Sequence, residues 1–156
     1  MLLCVLPAVQ AQQPESRYPI LDEEYGFMDI RLGTPLDSLP GLVRAPNDYE
    51  RKARYTRPGA SLYYAGVQFG AVEYLFWEDR LHSIRLRTEG VQNTDRLLEL
   101  LKLYYGEPVQ PGFEQYYTWD GLQVQLILDA NILTHNGWTT FMSKPLNASF
   151  SKTWRR

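Results

Sequence analysis

Cysteine is nearly absent from this 156-residue chain, because its one cysteine, Cys4, lies close to the N-terminus. If the first eleven residues are removed during export, the remaining domain contains no thiol. Such a domain has no disulfide, no cysteine nucleophile and no cysteine-ligated zinc. Core packing must therefore hold it together, and an apolar fraction of 44% is sufficient for that.

Long apolar runs and a strong charge of one sign are also lacking. No stretch approaches the ~20 apolar residues of a membrane span, so we expect no transmembrane segment. The formal net charge is −2, which gives no field over the whole molecule to attract nucleic acid. We therefore expect no nucleic-acid partner, and the length is that of a single domain.

Residues 1–11, MLLCVLPAVQA, are typical of the end of a secretory signal peptide. They are apolar, carry no charge and end in small residues before the chain becomes polar. The basic segment that begins a complete signal peptide is missing, so we interpret this one as truncated. Lipidation at Cys4 is disfavoured because the large Leu3 precedes it, and a buried first strand is disfavoured by Pro7. The predicted location is secreted or periplasmic.

The remainder divides into three parts. Residues 12–24 are polar, with two prolines, and are expected to be a flexible lead-in. Residues 25–146 are expected to form a single α+β domain. Residues 147–156 are expected to be a loose tail.

Hydrophobic periodicity predicts two helices and several strands. The clearer helix begins at Asn93 or Thr94, carries a leucine stripe and ends at Gly106. A shorter helix is predicted to begin at Thr34, with Pro35 in its first turn. Alternation predicts strands at 26–32, 61–69, 72–77, 82–88, 113–119, 122–129 and 138–143, and a weaker edge strand near residue 53. Because the hairpins outnumber the helices, we predict an antiparallel sheet of about six to eight strands with two helices packed on one face.

The predicted order contains two similar blocks. FWEDRL at 76–81 is similar to TWDGL at 118–122, which indicates either an imperfect tandem αβββ repeat or a chance likeness between two hairpins. With LGTP at 32–35 entering the first helix and YGEP at 105–108 leaving the second, the layout resembles small secreted bacterial αβββ domains. The beta-lactamase-inhibitor proteins and the small lipoproteins of outer-membrane assembly are examples. The resemblance implies a secreted α+β domain and assigns no role to any residue.

His82 is the main candidate for chemistry. It shares the apolar face of a strand, where a histidine is usually a core residue hydrogen-bonded to a neighbour. With nearby carboxylates it would instead serve as the base of a hydrolase, and this alternative stays open. The second histidine, His135, lies in a predicted turn far along the chain, so the spacing predicts no metal site and we expect no cofactor.

The stretch from 44 to 57 is the most basic part of the chain. We take Arg51, Lys52, Arg54 and Arg57 as a candidate binding loop. For an exported protein, an anionic glycan, another envelope component or an acidic protein fits such a loop better than nucleic acid does. The alternative is a solvated edge strand whose charges prevent edge-to-edge association.

The second candidate surface is the face of the sheet turned away from the helices. Strand alternation places Trp77, Arg85, Arg87, Tyr116 and Gln123 on this face. Aromatic and arginine side chains are typical of binding surfaces. The alternative is that an N-terminal or C-terminal segment covers part of the face.

The favoured function is therefore an exported, non-catalytic binding or envelope-associated domain, with an unknown protein or an anionic glycan as its partner. The alternatives are a small-ligand carrier, with tyrosines around a cavity, and a hydrolase that uses His82. Enclosure distinguishes them: an enzyme needs a cleft with converging polar groups, a carrier needs a cavity, and a binding module can use an open face.

Overall fold

A computed structural model describes residues 14–46, 51–112 and 114–154, so the predicted signal peptide lies outside the described residues. The helices within these ranges are α1 (Pro19–Glu24), α2 (Gly90–Tyr105) and α3 (Lys144–Trp154). The strands are β1 (Gly26–Phe27), β2 (Ile30–Arg31), β3 (Val43–Arg44), β4 (Ala53–Thr56), β5 (Tyr63–Tyr64), β6 (Val67–Trp77), β7 (Arg80–Thr88), β8 (Tyr116–Asp120), β9 (Val124–Ala130) and β10 (Gly137–Ser143). None of the helices in these ranges has the length and apolar character needed to cross a membrane.

The predicted α+β class is confirmed, with one antiparallel sheet of eight strands and a separate β1–β2 hairpin. The strand order is β3-β4-β6-β7-β10-β9-β8, and β5 pairs with β6 beside this path. The order is symmetric about the central β7–β10 pair, since β4–β6–β7 on one side matches β8–β9–β10 on the other. The two blocks seen in the sequence are thus two three-stranded meanders that meet at their last strands.

The predicted first helix is a single 3-10 turn, Leu36–Ser38, because the proline and glycine that follow it end the turn. The second helix, α2, begins at Gly90, several residues before the predicted cap. Asn136 in the turn before β10 accepts the Gly90 N–H at 3.0 Å, which satisfies an otherwise free donor at the helix start. Gly106, with φ 89°, ends α2 as predicted.

The two sides of the sheet have different surroundings, and we call them the inner and the outer face. The inner face carries the main core, which includes Phe76, Ile84, Leu86 and Phe141. The β1–β2 hairpin packs on it through Phe27, whose ring centroid lies 5.1 Å from that of Phe141. Helix α2 packs on the same face through its buried leucines, Leu97 and Leu101. The outer face holds the alternate residues of the same strands.

The lead-in expected at 12–24 is ordered structure from residue 14 onward, which corrects the prediction. Tyr18 and Leu21 are buried in the core, three residues apart, so the short helix α1 docks with one side. The Asp22 carboxylate accepts the N–H groups of Leu122 and Gln123 at 2.7 Å and that of Val124 at 3.0 Å. These hydrogen bonds hold α1 against the β8–β9 turn. The polar composition of the segment does not indicate them.

The described part of the tail expected at 147–156 is also ordered, because residues 147–154 belong to α3. Phe150 in this helix is only 6% exposed, and its ring centroid lies 5.8 Å from that of Trp77 and 6.1 Å from that of His82. Trp77 belongs to the outer face, so α3 and α2 contact opposite faces of the sheet. One buried aromatic residue in a polar helix is a weak pattern, which explains why the sequence predicted a tail here.

Candidate functional site

The open part of the outer face carries a row of alternating charges across its central strands. Glu73 on β6 is 6% exposed, and its Oε1 lies 2.8 Å from Arg54 Nη1 on β4. Its Oε2 lies 3.6 Å from Arg85 Nη1 on β7. The Arg85 guanidinium lies over Trp138 of β10, 4.2 Å from the ring centroid. Four neighbouring strands thus contribute to one row, which ends on a half-buried tryptophan.

The structure separates the five residues predicted for this face. Arg85 and Arg87 lie together on β7, and Arg87 pairs with Glu89 at 2.8 Å. Tyr116 lies at the far edge of the sheet on β8. Trp77 is half-buried under Phe150 of α3, so the alternative that a C-terminal segment covers it is the one observed.

Gln123 precedes β9 and lies exposed in the turn that Asp22 binds. Trp138 was not among the predicted site residues. The alternation of β10 places its side chain on the outer face with those of Thr140 and Met142. That alternation was the pattern that could have identified it.

The four residues of the predicted basic loop do not form one surface. Arg51 is exposed, whereas Lys52 is buried with its Nζ 4.4 Å from the centroid of the Phe150 ring. Arg54 belongs to the charge row on the outer face, and Arg57 lines a cavity on the inner side of the sheet. Only Arg54 lies within β4; Lys52 and Arg54 both contact residues on the outer side of the sheet, and Arg57 follows the strand and lies on the inner side.

His82 lies fully buried between β7 and α3. Its ring nitrogens lie 3.3 Å from Ser83 Oγ and 3.3 Å from Asn147 Oδ1. Burial, together with the positive charge of Lys52, lowers the pKa of His82 to about 4, although the hydrogen bond with Asn147 acts in the opposite direction. The hydrogen-bond partners of His82 in the described ranges include no carboxylate, and these ranges contain no cluster of three or more metal-ligating side chains.

A cavity of about 300 Å³ lies on the inner side of the sheet, and we call it the hairpin cavity. The β1–β2 hairpin forms one wall, the loop at 56–62 a second and the inner face of β6 and β7 the third. Its lining is mainly apolar, as the following six residues illustrate: Phe27, Met28, Ile30, Phe69, Val72 and Ile84. The sequence predicted one strand over 26–32, but Met28 adopts a φ of 57° and the chain turns back there, so this wall could not be anticipated.

A few polar groups also line the hairpin cavity. Arg57 is the charged residue among its described lining residues, and its Nε is buried with no hydrogen-bond partner in the described ranges. Tyr74 is 7% exposed. Burial raises the pKa of the Tyr74 hydroxyl, the charge of Arg57 lowers it and that of Asp29 raises it. The tyrosine therefore stays a neutral hydrogen-bonding group, and Arg57 and Asp29 both lie within electrostatic reach of it.

Comparison of the chain with protein-family models, with curated proteins and with solved structures finds no match.

Proposed function

We propose that the chain is an exported, non-catalytic binding domain that takes a small, largely apolar ligand into the hairpin cavity. The observation that carries this proposal is the cavity itself, about 300 Å³ between the inner face and the β1–β2 hairpin. Ligand pockets of proteins range from about 300 to 1,000 Å³, with mostly apolar walls and a few polar groups that orient the ligand. The hairpin cavity is at the small end of that range and has this composition.

The chemistry of the lining supports binding rather than catalysis. Its titratable groups in the described ranges are Arg57 and the tyrosines Tyr64 and Tyr74, and both tyrosine pKa values are raised above their ordinary value. Neither an arginine nor a neutral phenol exchanges protons readily near pH 7, so the lining offers no acid–base pair. His82 lies on the opposite side of the sheet, under α3.

The apolar segment MLLCVLPAVQA supports the exported location that we propose. Expression in a bacterial host with a basic segment added before Met1, so that residues 1–11 complete the signal peptide, tests this part when the periplasmic protein is sequenced from its N-terminus. We expect the mature chain to begin at Gln12. Full retention in the cytoplasm with Met1 still present would contradict it.

A neutral apolar dye, N-phenyl-1-naphthylamine, tests ligand binding directly. We expect saturable enhancement of its fluorescence by the wild-type chain. Val72→Phe places a larger side chain in the cavity wall and should weaken dye binding by about tenfold or more, because pockets discriminate strongly against lost space. The matched control is Ile127→Phe, on the outer face of the same sheet, which should leave binding unchanged.

Two results would overturn the cavity as the binding site. One is a wild-type chain that gives no saturable response to the dye. The other is equal weakening by the inner-face and the outer-face variants, since only the first of them changes the cavity.

A second candidate function is the binding of an anionic polysaccharide on the open part of the outer face. Its support is the row in which Arg85 lies between Glu73 and the half-buried ring of Trp138. Polygalacturonate resin, eluted over a salt series, tests it: retention should fall with salt and should weaken in Arg85→Gln. Absent or salt-insensitive retention would rule this function out.

A further inference from the structure

Arg57 differs from Lys52 and Arg54 in the contacts that the described residues give its side chain. Arg54 forms an ion pair with Glu73, and Lys52 lies over the ring of Phe150. The structure gives the Arg57 guanidinium no ion pair within the described ranges, and its Nε is buried without a hydrogen bond. A permanent positive charge therefore lines an apolar cavity with an unused donor.

The local fold holds Arg57 in this position. It follows the last residue of β4, and Pro58 and Gly59 form a tight turn after it, with Gly59 at a φ of 77°. The Ala60 N–H donates to the Arg57 carbonyl at 3.2 Å and closes the turn. Because the backbone on both sides is fixed, the base of the Arg57 side chain has a defined place on the cavity wall.

A buried donor that is left without a hydrogen bond, as Arg57 Nε is within the described ranges, costs stability. The planar guanidinium matches the two oxygens of a carboxylate, to which it donates two parallel hydrogen bonds. We infer that the ligand of the hairpin cavity is a small carboxylic acid, whose carboxylate binds Arg57 and whose apolar part contacts Phe27, Phe69 and Val72. This inference rests on the proposed function and adds the chemical class of the ligand.

Other groups in or near the cavity affect the orientation of the bound acid. Tyr74 has a hydroxyl that can donate to the ligand, and Tyr64 lines the same space. Asp29, in the turn between β1 and β2, is exposed and repels an anion. The carboxylate is therefore expected to lie beside Arg57 and to avoid Asp29.

Calorimetric titration of the full chain with decanoate and with decan-1-ol tests the inference, because the two ligands share an apolar chain and differ in the head group. We expect decanoate to bind roughly tenfold or more tightly than decanol. Arg57→Gln should remove this preference by weakening decanoate binding much more than decanol binding, and Arg57→Lys should restore part of it because it keeps the charge but not the planar fork. Arg51→Gln, an exposed arginine of the same stretch, is the matched control and should behave as wild type.

The possible outcomes distinguish a failure of the carboxylate inference from a failure of the proposed function. Equal binding of decanoate and decanol by the wild-type chain would overturn the carboxylate inference while leaving the proposed function in place, and this comparison needs no variant. Equal loss of both ligands in Arg57→Gln would overturn it too, since Arg57 would then support the cavity rather than the head group. No binding of either ligand, with no response to the neutral dye, would overturn the proposed function itself.

Discussion

The inner and outer faces of the sheet differ in how far other parts of the chain cover them. The inner face is covered by α1, the β1–β2 hairpin and α2, and its residues on β9 and β10 are buried without exception. The outer face is covered by α3 at one end, and its residues on the same two strands stay half-buried or exposed. The inner face is therefore packed in the core and borders the cavity, while part of the outer face remains exposed.

The largest expected effect lies on the inner face. Phe141 is fully buried on β10 and contacts the rings of Phe27 and Tyr105. Phe141→Ala should lower the free energy of unfolding by about 3–5 kcal/mol, because it removes buried contacts and leaves a void. Urea denaturation followed by tryptophan fluorescence measures the change.

Met142→Ala is the matched control, because Met142 is the next residue of β10 and lies half-buried on the outer face. We expect it to cost less than about 1 kcal/mol. If both variants lose the same stability, the outer face is as well packed as the inner one, and the contrast between the two faces fails.

Much of this fold could be predicted from the sequence because strand alternation is a local property. The period of two in β7 and β9 separates Leu86 from Arg87 and Leu128 from Asp129, and the observed burial follows it. The segments before β1 and after β10 were predicted less well, because their order depends on contacts made far away in sequence. Asp22 is tied to the backbone of Leu122, and nothing near Asp22 in the sequence indicates this.

The second expected effect concerns His82, where α3 covers the outer face. Its pKa is lowered from 6.5 to about 4 by burial in the folded chain, so the unfolded chain binds a proton at a higher pH than the folded one does. The stability from the neutral, buried ring is thus complete above pH 6.5 and is lost as the pH falls towards 4. The total loss is about 3 kcal/mol. Urea denaturation at a series of pH values measures it.

His82→Gln removes the titrating ring, so the fall in stability between pH 6.5 and 4 should flatten in this variant. Asp22 does not account for a slope in that window. Burial would raise the pKa of Asp22, but the hydrogen bonds from Ser16 and from the backbone lower it overall from 3.8, so its contribution is lost only at lower pH. An unchanged slope in His82→Gln would assign the pH dependence to other groups.

The candidate site was harder to predict than the fold because it depends on three segments that meet in space. The charge of Arg57 predicts a binding residue, and the sequence places it in one basic loop with Lys52 and Arg54. In the structure Lys52 and Arg54 contact residues on the outer side of the sheet, whereas Arg57, just after β4, lines the cavity on the inner side. A basic stretch of sequence therefore does not form one basic surface. The cavity itself requires the turn at Met28, which the pattern of residues 26–32 does not indicate.

The smallest expected effect compares two tryptophans on the outer face, Trp77 under α3 and Trp138 in the open part. Trp77→Ala removes the contact with Phe150 and should cost about 2 kcal/mol, while Trp138→Ala loses a partly exposed ring and its contact with Arg85, about 1 kcal/mol or less. Urea denaturation followed by circular dichroism measures both, since each change removes a fluorophore. Equal costs would mean that α3 adds nothing to the burial of Trp77. A larger cost at Trp138 would mean that the open part of the outer face contributes to folding, and its half-buried aromatic ring would then need no ligand to explain it.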